Sequence, residues 1–217
     1  MENSNEKFNQ AVESMRNMIR RDVAAGFDAA DRIAESAVEV AADDGVDSDA
    51  LEPLAREFTR KALAEHYRAQ AEWPERTDCD RLDEAFAELE RRGIVCRQNF
   101  SCCGTCGASE IWGEMEAAAK SGRPICGYAF FHMQDTESAV ECGGLYLGYG
   151  ATAEGEDAAL AVAREIIEVL NAHGLATDWE GSWRTRIGVT IDWKRRRPLE
   201  VGFACRKPTR GLFDECE

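Results

Sequence analysis

The sequence predicts an α+β protein: a mixed or antiparallel sheet with helices packed mainly on one face, preceded by a helical N-terminal subdomain. Three observations carry that expectation. The first third of the 217 residues repeats apolar side chains at three- and four-residue spacing. From Ile94 onward short β-type runs alternate with helical ones. Near the end, Ile187, Val189, Ile191 and Trp193 alternate with Gly188, Thr190, Asp192 and Lys194, as in a half-buried antiparallel strand.

Taken in order, Phe8, Val12, Met15 and Ile19 mark a first helix, which Gly26 ends. Asp28 is placed to cap a second, with Ala30, Ile33, Ala37 and Val40 as its stripe. A third begins near Ser48, presents Leu51, Ala55, Phe58, Ala62, His66, Ala69 and Trp73, and stops at Pro74. Thr77 or Asp78 caps a fourth that buries Leu82, Ala85, Phe86 and Leu89 and closes at Gly93. Strands are expected at 94–98, 125–133, 144–149, 175–180 and 187–193, and at Leu199–Cys205 across the turn 195–198. Helices are expected at about 103–119, for one or two turns from Thr136, and at 157–172. No repeat or long linker interrupts the chain, and the best boundary is 73–77. The expected organisation is residues 1–73 as a helical subdomain and 77–217 as an α+β core with a basic C-terminal segment.

Composition narrows function. A hydrophobic fraction of 44% is ordinary for a globular chain. No apolar run approaches the roughly 20 residues of a membrane span, so no membrane is expected. The opening MENSNEKFNQ lacks the basic start and apolar run of a secretory signal, which places the protein in the cytoplasm. There the nine cysteines are expected to be mainly free thiols. A net charge of −15 repels phosphates, so no nucleic acid is expected. The charge is uneven: residues 1–183 hold 17 basic and 36 acidic side chains, residues 184–217 hold 9 and 5. A basic end solvated by or packed on its own acidic body is the expected outcome, with a protein partner, self-association or a bound anion as the alternatives.

Two motifs carry chemistry. Cys102-Cys103-Gly104-Thr105-Cys106-Gly107 lies between a strand and a helix start. Cys102 or Cys103 with Cys106 supplies two or three zinc ligands, and His132, Cys126, Cys79 and Cys96 are the candidates to complete four. The same Cys-Gly-Thr-Cys run has the form of a redox dithiol at a helix N-terminus, although Glu110, Glu114 and Glu116 disfavour a thiolate. Simple packing in a tight turn is the plain alternative. The second motif, Gly127 to Glu137, ends an aromatic strand at His132 and continues with Gln134, Asp135, Thr136 and Glu137. His132, Asp135 and Glu137 are candidates for acid–base catalysis. The competing reading makes Asp135 or Thr136 the cap of the next helix and His132 an ordinary hydrogen-bonded residue. His66 and His173 carry weaker functional expectations still.

These motifs also carry a resemblance. Thr77-Asp78-Cys79-Asp80-Arg81-Leu82, Gly93-Ile94-Val95, Asn99-Phe100-Ser101-Cys102-Cys103 with Cys106-Gly107, Gly127-Tyr128, Phe130-Phe131-His132, Gln134-Asp135-Thr136-Glu137, Gly143-Gly144-Leu145-Tyr146-Leu147, Asp178-Trp179 and Asp192-Trp193 resemble an uncharacterised bacterial family. Its pattern is FxCCxxCG with GYxFFHxQDTE, over residues 77–197. The family is a domain of unknown function, so it implies no activity, substrate or cofactor.

The sequence therefore favours a non-enzymatic binding or interaction protein. A protein that is zinc-stabilised or redox-active through Cys102, Cys103, Cys106 and His132 is the alternative. An enzyme of unfamiliar class built on His132, Asp135 and Glu137 is the third reading. All readings of a joint site require the cysteine turn and the His132 strand end to lie side by side.

Overall fold

The computed structural model describes residues 2–43 and 45–198, with side chains from residue 5. Three long helices come first: α1 (Glu2–Ala25), α2 (Ala30–Ala42) and α3 (Ser48–Ala71). Their apolar stripes meet in one cluster of buried side chains, including Met15, Ile19, Ile33, Ala37, Leu51 and Leu63. Asp28 is not the cap of α2. Ala29 holds that position without a side-chain hydrogen bond, and the Asp28 carbonyl instead accepts from Arg197.

The rest of the described chain runs α4 (Asp78–Arg91), β1 (Ile94–Arg97), α5 (Gly104–Lys120), β2 (Gly127–Phe130), α6 (Met133–Cys142), β3 (Gly144–Ala151), α7 (Glu156–Ala172), β4 (Thr177–Asp178) and β5 (Ile187–Thr190). Thr77 caps α4 through a reciprocal pair, its hydroxyl taking the Asp80 N–H while the Asp80 carboxylate takes the Thr77 N–H. The turn from α4 into β1 depends on Gly93. Its φ of +88° is open to glycine, and a Cβ there would meet the Pro124 carbonyl oxygen at 2.5 Å.

The five strands form one mixed sheet in the order β1-β2-β3-β5-β4. Only β1 and β2 run parallel, because α5 connects them; the other pairings are antiparallel. Alternation divides the side chains. Ile94, Cys96, Ala129, Phe131, Leu145, Leu147, Ile187 and Val189 join α4, α6 and α7 in the main core. Val95, Phe130 and Tyr128 face the other way, onto Ile111, Met115 and Ala118 of α5. Helices are thus mainly on one face, with α5 alone on the other. That helix sits close to the sheet because Gly107 has no side chain: a Cβ would lie 2.5 Å from the Phe130 ring.

Three elements differ from expectation, the first being the strand read over 175–180, which is reduced to β4 at Thr177–Asp178. The strand read over 125–133 ends at Phe130, since His132 leaves the sheet to start α6 three residues before Thr136. The alternation at 187–193 continues beyond the paired strand β5, where Ile191 still donates its N–H to the Gly143 carbonyl at 3.1 Å and Trp193 packs against the main core. The Leu199–Cys205 strand lies outside the described residues.

The basic residues 194–197 fold onto the chain itself. Arg195 stacks over Phe27 at 4.6 Å and pairs with Asp83 at 2.9 Å. Arg196 reaches Asp80 at 3.6 Å. Arg197 is buried against carbonyls of Val23 and Asp28, and its backbone exchanges hydrogen bonds with Gln70. With Trp193 donating to the Ala24 carbonyl, this strap joins α1 and α3 to α4 and the sheet. No helix among the described residues is long and apolar enough to cross a membrane.

Candidate functional site

Because β1 and β2 are parallel, their C-terminal ends lie at the same edge of the sheet. The cysteine turn follows β1 and His132 follows β2. Backbone hydrogen bonds then join the two segments. The Phe100 N–H donates to the Phe131 carbonyl at 2.8 Å, and the Met133 N–H donates to the Ser101 carbonyl at 3.1 Å. The Thr136 hydroxyl donates to the Asn99 side-chain oxygen at 2.8 Å. Asn99 and Ser101 both have positive φ, 50° and 62°, a conformation that costs a non-glycine residue about 1–3 kcal/mol and persists where surrounding bonds enforce it.

Within that turn, Cys103 is the N-cap of α5. The side-chain sulfurs of Cys102, Cys103 and Cys106 lie within 4.8 Å of one another, close enough to hold a metal ion. Cys102 is exposed and the other two are partly exposed. The amide and thiol of Cys106, and then the Thr105 amide, hold the Cys103 thiol below its ordinary range, although no cap hydrogen bond closes on it. The neighbouring thiols of Cys102 and Cys103 push Cys106 up to about 11. Of the two, Cys103 therefore gives up its proton more readily than Cys106.

The other proposed thiol ligands stand elsewhere. Cys79 and Cys96 are buried in the main core, where burial pushes Cys79 up to about 12. Cys126 donates to the Gly93 carbonyl. All seven cysteines among the described residues are free.

His132 borders the cysteine turn. A Cβ built on Gly104 would lie 3.5 Å from both Cδ2 and Nε2 of the imidazole, yet His132 is not part of the close sulfur group. Its ring is the N-cap of α6: Nδ1 accepts the Asp135 N–H at 3.3 Å, while the Asp135 carboxylate accepts the His132 N–H at 3.0 Å. With Nδ1 accepting, the proton sits on Nε2, 3.1 Å from the Asp135 carboxylate. Burial lowers the His132 pKa, Asp135 opposes that, and Arg186 adds to it. The ring is neutral in this arrangement.

Arg186 went unnoticed in the sequence. It donates to the Asp135 carboxylate and to the Tyr146 carbonyl, and its guanidinium lies 5.8 Å from the Tyr146 ring centre. The only available signal was a cation immediately before an alternating strand. Nothing local showed that β5 would pair with β3 and carry it there. Glu137 goes to a different place, pairing with Arg21 of α1 at 3.0 Å in a cleft of about 250 Å³ between α1, α2 and α6. Thus His132 and Asp135 come together, while the third catalytic candidate points at another helix. His66 packs against Trp73 and Tyr67 under the strap, and His173 pairs with Glu88 at 2.9 Å.

Among known proteins, the profile of a domain of unknown function, DUF6891, matches residues 9–197, from within α1 to the strap. The match takes in the helical third, which the motif resemblance over 77–197 did not reach. No curated protein matches the chain, and no solved structure does.

Proposed function

The chain belongs to the DUF6891 family, and from that starting point, which names no activity, we propose that it is a metal-binding protein whose Cys102, Cys103 and Cys106 hold a zinc ion. One observation carries this reading: three sulfurs within 4.8 Å of one another at an accessible helix start. Thiolates about 2.3 Å from a tetrahedral zinc sit roughly 3.8 Å apart, so small side-chain rotations close the set.

The fourth ligand in this reading is His132. Its ring already borders Gly104, and ligation needs it to turn until one nitrogen leaves Asp135 for the ion while the other keeps the carboxylate. A carboxylate behind a ligating histidine is the usual arrangement, since it fixes the ring and raises its basicity. The Arg186 guanidinium on Asp135 and the positive end of α5 offset the negative charge of three thiolates. Cytoplasmic location belongs to the same reading, since a reducing compartment keeps the thiols available. An interaction protein lacking a metal has weaker support, because the strap that gave the chain its basic end is already engaged by Asp80 and Asp83.

The test is elemental analysis of the full chain purified without added metal, followed by zinc titration of the chelator-stripped, reduced protein. One zinc per chain is expected. Cys102→Ser, Cys103→Ser and Cys106→Ser should each weaken binding severely, and His132→Ala by about 10- to 100-fold. A reduced wild-type chain that takes up no zinc overturns the reading.

A further inference from the structure

Without an ion, the turn holds a pair of thiols set for a different reaction. Cys103 and Cys106 are separated by Gly104 and Thr105 at the first turn of α5, and both are partly exposed. Their sulfurs lie within 4.8 Å and must close to about 2.0 Å to bond, a movement that side-chain rotation at an accessible turn permits. Cys103 has extended backbone angles, φ −153° and ψ 170°, and stands before the first free amides of the helix. Cys103 thus stands ahead of the positive end of α5, whereas Cys106 lies within its first turn. The two thiols are therefore not equivalent: one is placed to attack and the other to follow. Cys102, the exposed third thiol, precedes the helix and adjoins Cys103 in sequence, so the two-residue spacing of the pair belongs to Cys103 and Cys106.

We propose that Cys103 and Cys106 form a thiol–disulfide exchange pair toward small disulfides, and that closing it empties the metal site; the second half rests on the zinc reading. The Cys103 thiolate attacks one sulfur of a disulfide such as glutathione disulfide. That S–S bond breaks, a mixed disulfide forms on Cys103, and one glutathione leaves as thiolate. Cys106 then gives its proton to solvent and attacks the Cys103 sulfur. The Cys103–Cys106 bond forms and the second glutathione leaves as thiolate. The protein loses two electrons and two protons, and the small disulfide becomes two thiols. Cys102 is left as the one unbonded sulfur of the set, too few to retain zinc.

The test uses the full chain, stripped of metal, treated with glutathione disulfide, quenched and digested with trypsin. All three thiols fall in one peptide, 98–120, between Arg97 and Lys120. The expected product is that peptide short of two hydrogens, with fragmentation placing the bond between Cys103 and Cys106. Cys106→Ser should stop at a glutathione adduct on Cys103, while Cys102→Ser should still close. Adducts confined to the exposed Cys126 and Cys142, with peptide 98–120 unmodified, overturn the exchange pair. Equally decisive against it is a Cys106→Ser chain with no adduct on Cys103. For the second half, the oxidised chain should lose zinc binding and regain it with a reductant; undiminished binding after closure overturns it. The two readings fail separately. A reduced chain that binds no zinc ends the metal reading and leaves the peptide mapping to judge the exchange. A chain that binds zinc but never closes the bond ends the exchange alone.

Discussion

Arg186 and Asp135, 51 positions apart in sequence, pair across the sheet edge, the guanidinium entering from the start of β5 and the carboxylate from the first turn of α6. Asp135 is buried and also serves the His132 cap. Replacing Arg186 by Ala leaves that carboxylate without its cation and frees the Tyr146 carbonyl. The expected loss is about 1–3 kcal/mol, the usual penalty for stranding a buried acceptor. Urea unfolding of Arg186→Ala beside wild type measures it, and an unchanged midpoint would remove Arg186 from the architecture of the site.

His66 predicts a pH dependence. It is buried in α3, and its pKa is lowered from 6.5, first by burial and then by Arg197, against the opposing Arg195 carbonyl and Gln70. A depressed histidine pKa means that the unfolded chain takes up the proton first. Its contribution is therefore complete above about pH 6.5 and declines as pH falls from there through the lower folded value. Thermal unfolding between pH 7.5 and 5 should show the midpoint falling with acid, and His66→Gln should flatten that fall. An equal slope in both proteins would assign the dependence to other groups.

Gly93→Ala should destabilise the chain by about 1–3 kcal/mol, combining a positive-φ penalty with overpacking against the Pro124 carbonyl. Exposed Gly122 is the control, having positive φ but nothing within 4 Å of a built Cβ. The two variants separate conformational strain from steric contact, and a Gly93→Ala loss no larger than that of Gly122→Ala would exclude the contact.

Arg195→Lys should behave as a loss rather than a conservative exchange. The guanidinium stacks over Phe27 and Trp193 while hydrogen-bonding Asp83 and Gln98, and an ammonium cannot keep both planar stacking and the fork. A drop of about 1–2 kcal/mol is expected. Tryptophan fluorescence during urea unfolding reads it, since Trp193 lies in the same stack.

The helices were legible wherever a stripe ran for several turns, as from Leu51 to His66, because three-residue spacing needs no knowledge of the partner. The cysteine turn and His132 were legible as types of residue. Their juxtaposition was not, because it follows from the parallel pairing of β1 with β2. His132 as a cap escaped notice because Asp135 and Thr136 are the commoner choices and the aromatic run hides the end of the strand. The strap could be read as charge, while its targets Asp80, Asp83 and Asp28 lie more than 100 positions away.

The parallel pairing of β1 and β2 has one more result. Both motifs leave the sheet at the same rim, and α5 only returns the chain to the far rim through the exposed turn 121–124. The reach of that return leg is uncoupled from the distance between Cys103 and His132. Extra residues spliced in after Gly122, past the last amides that close α5, lengthen an exposed loop at the opposite pole and leave the thiols and the imidazole in register.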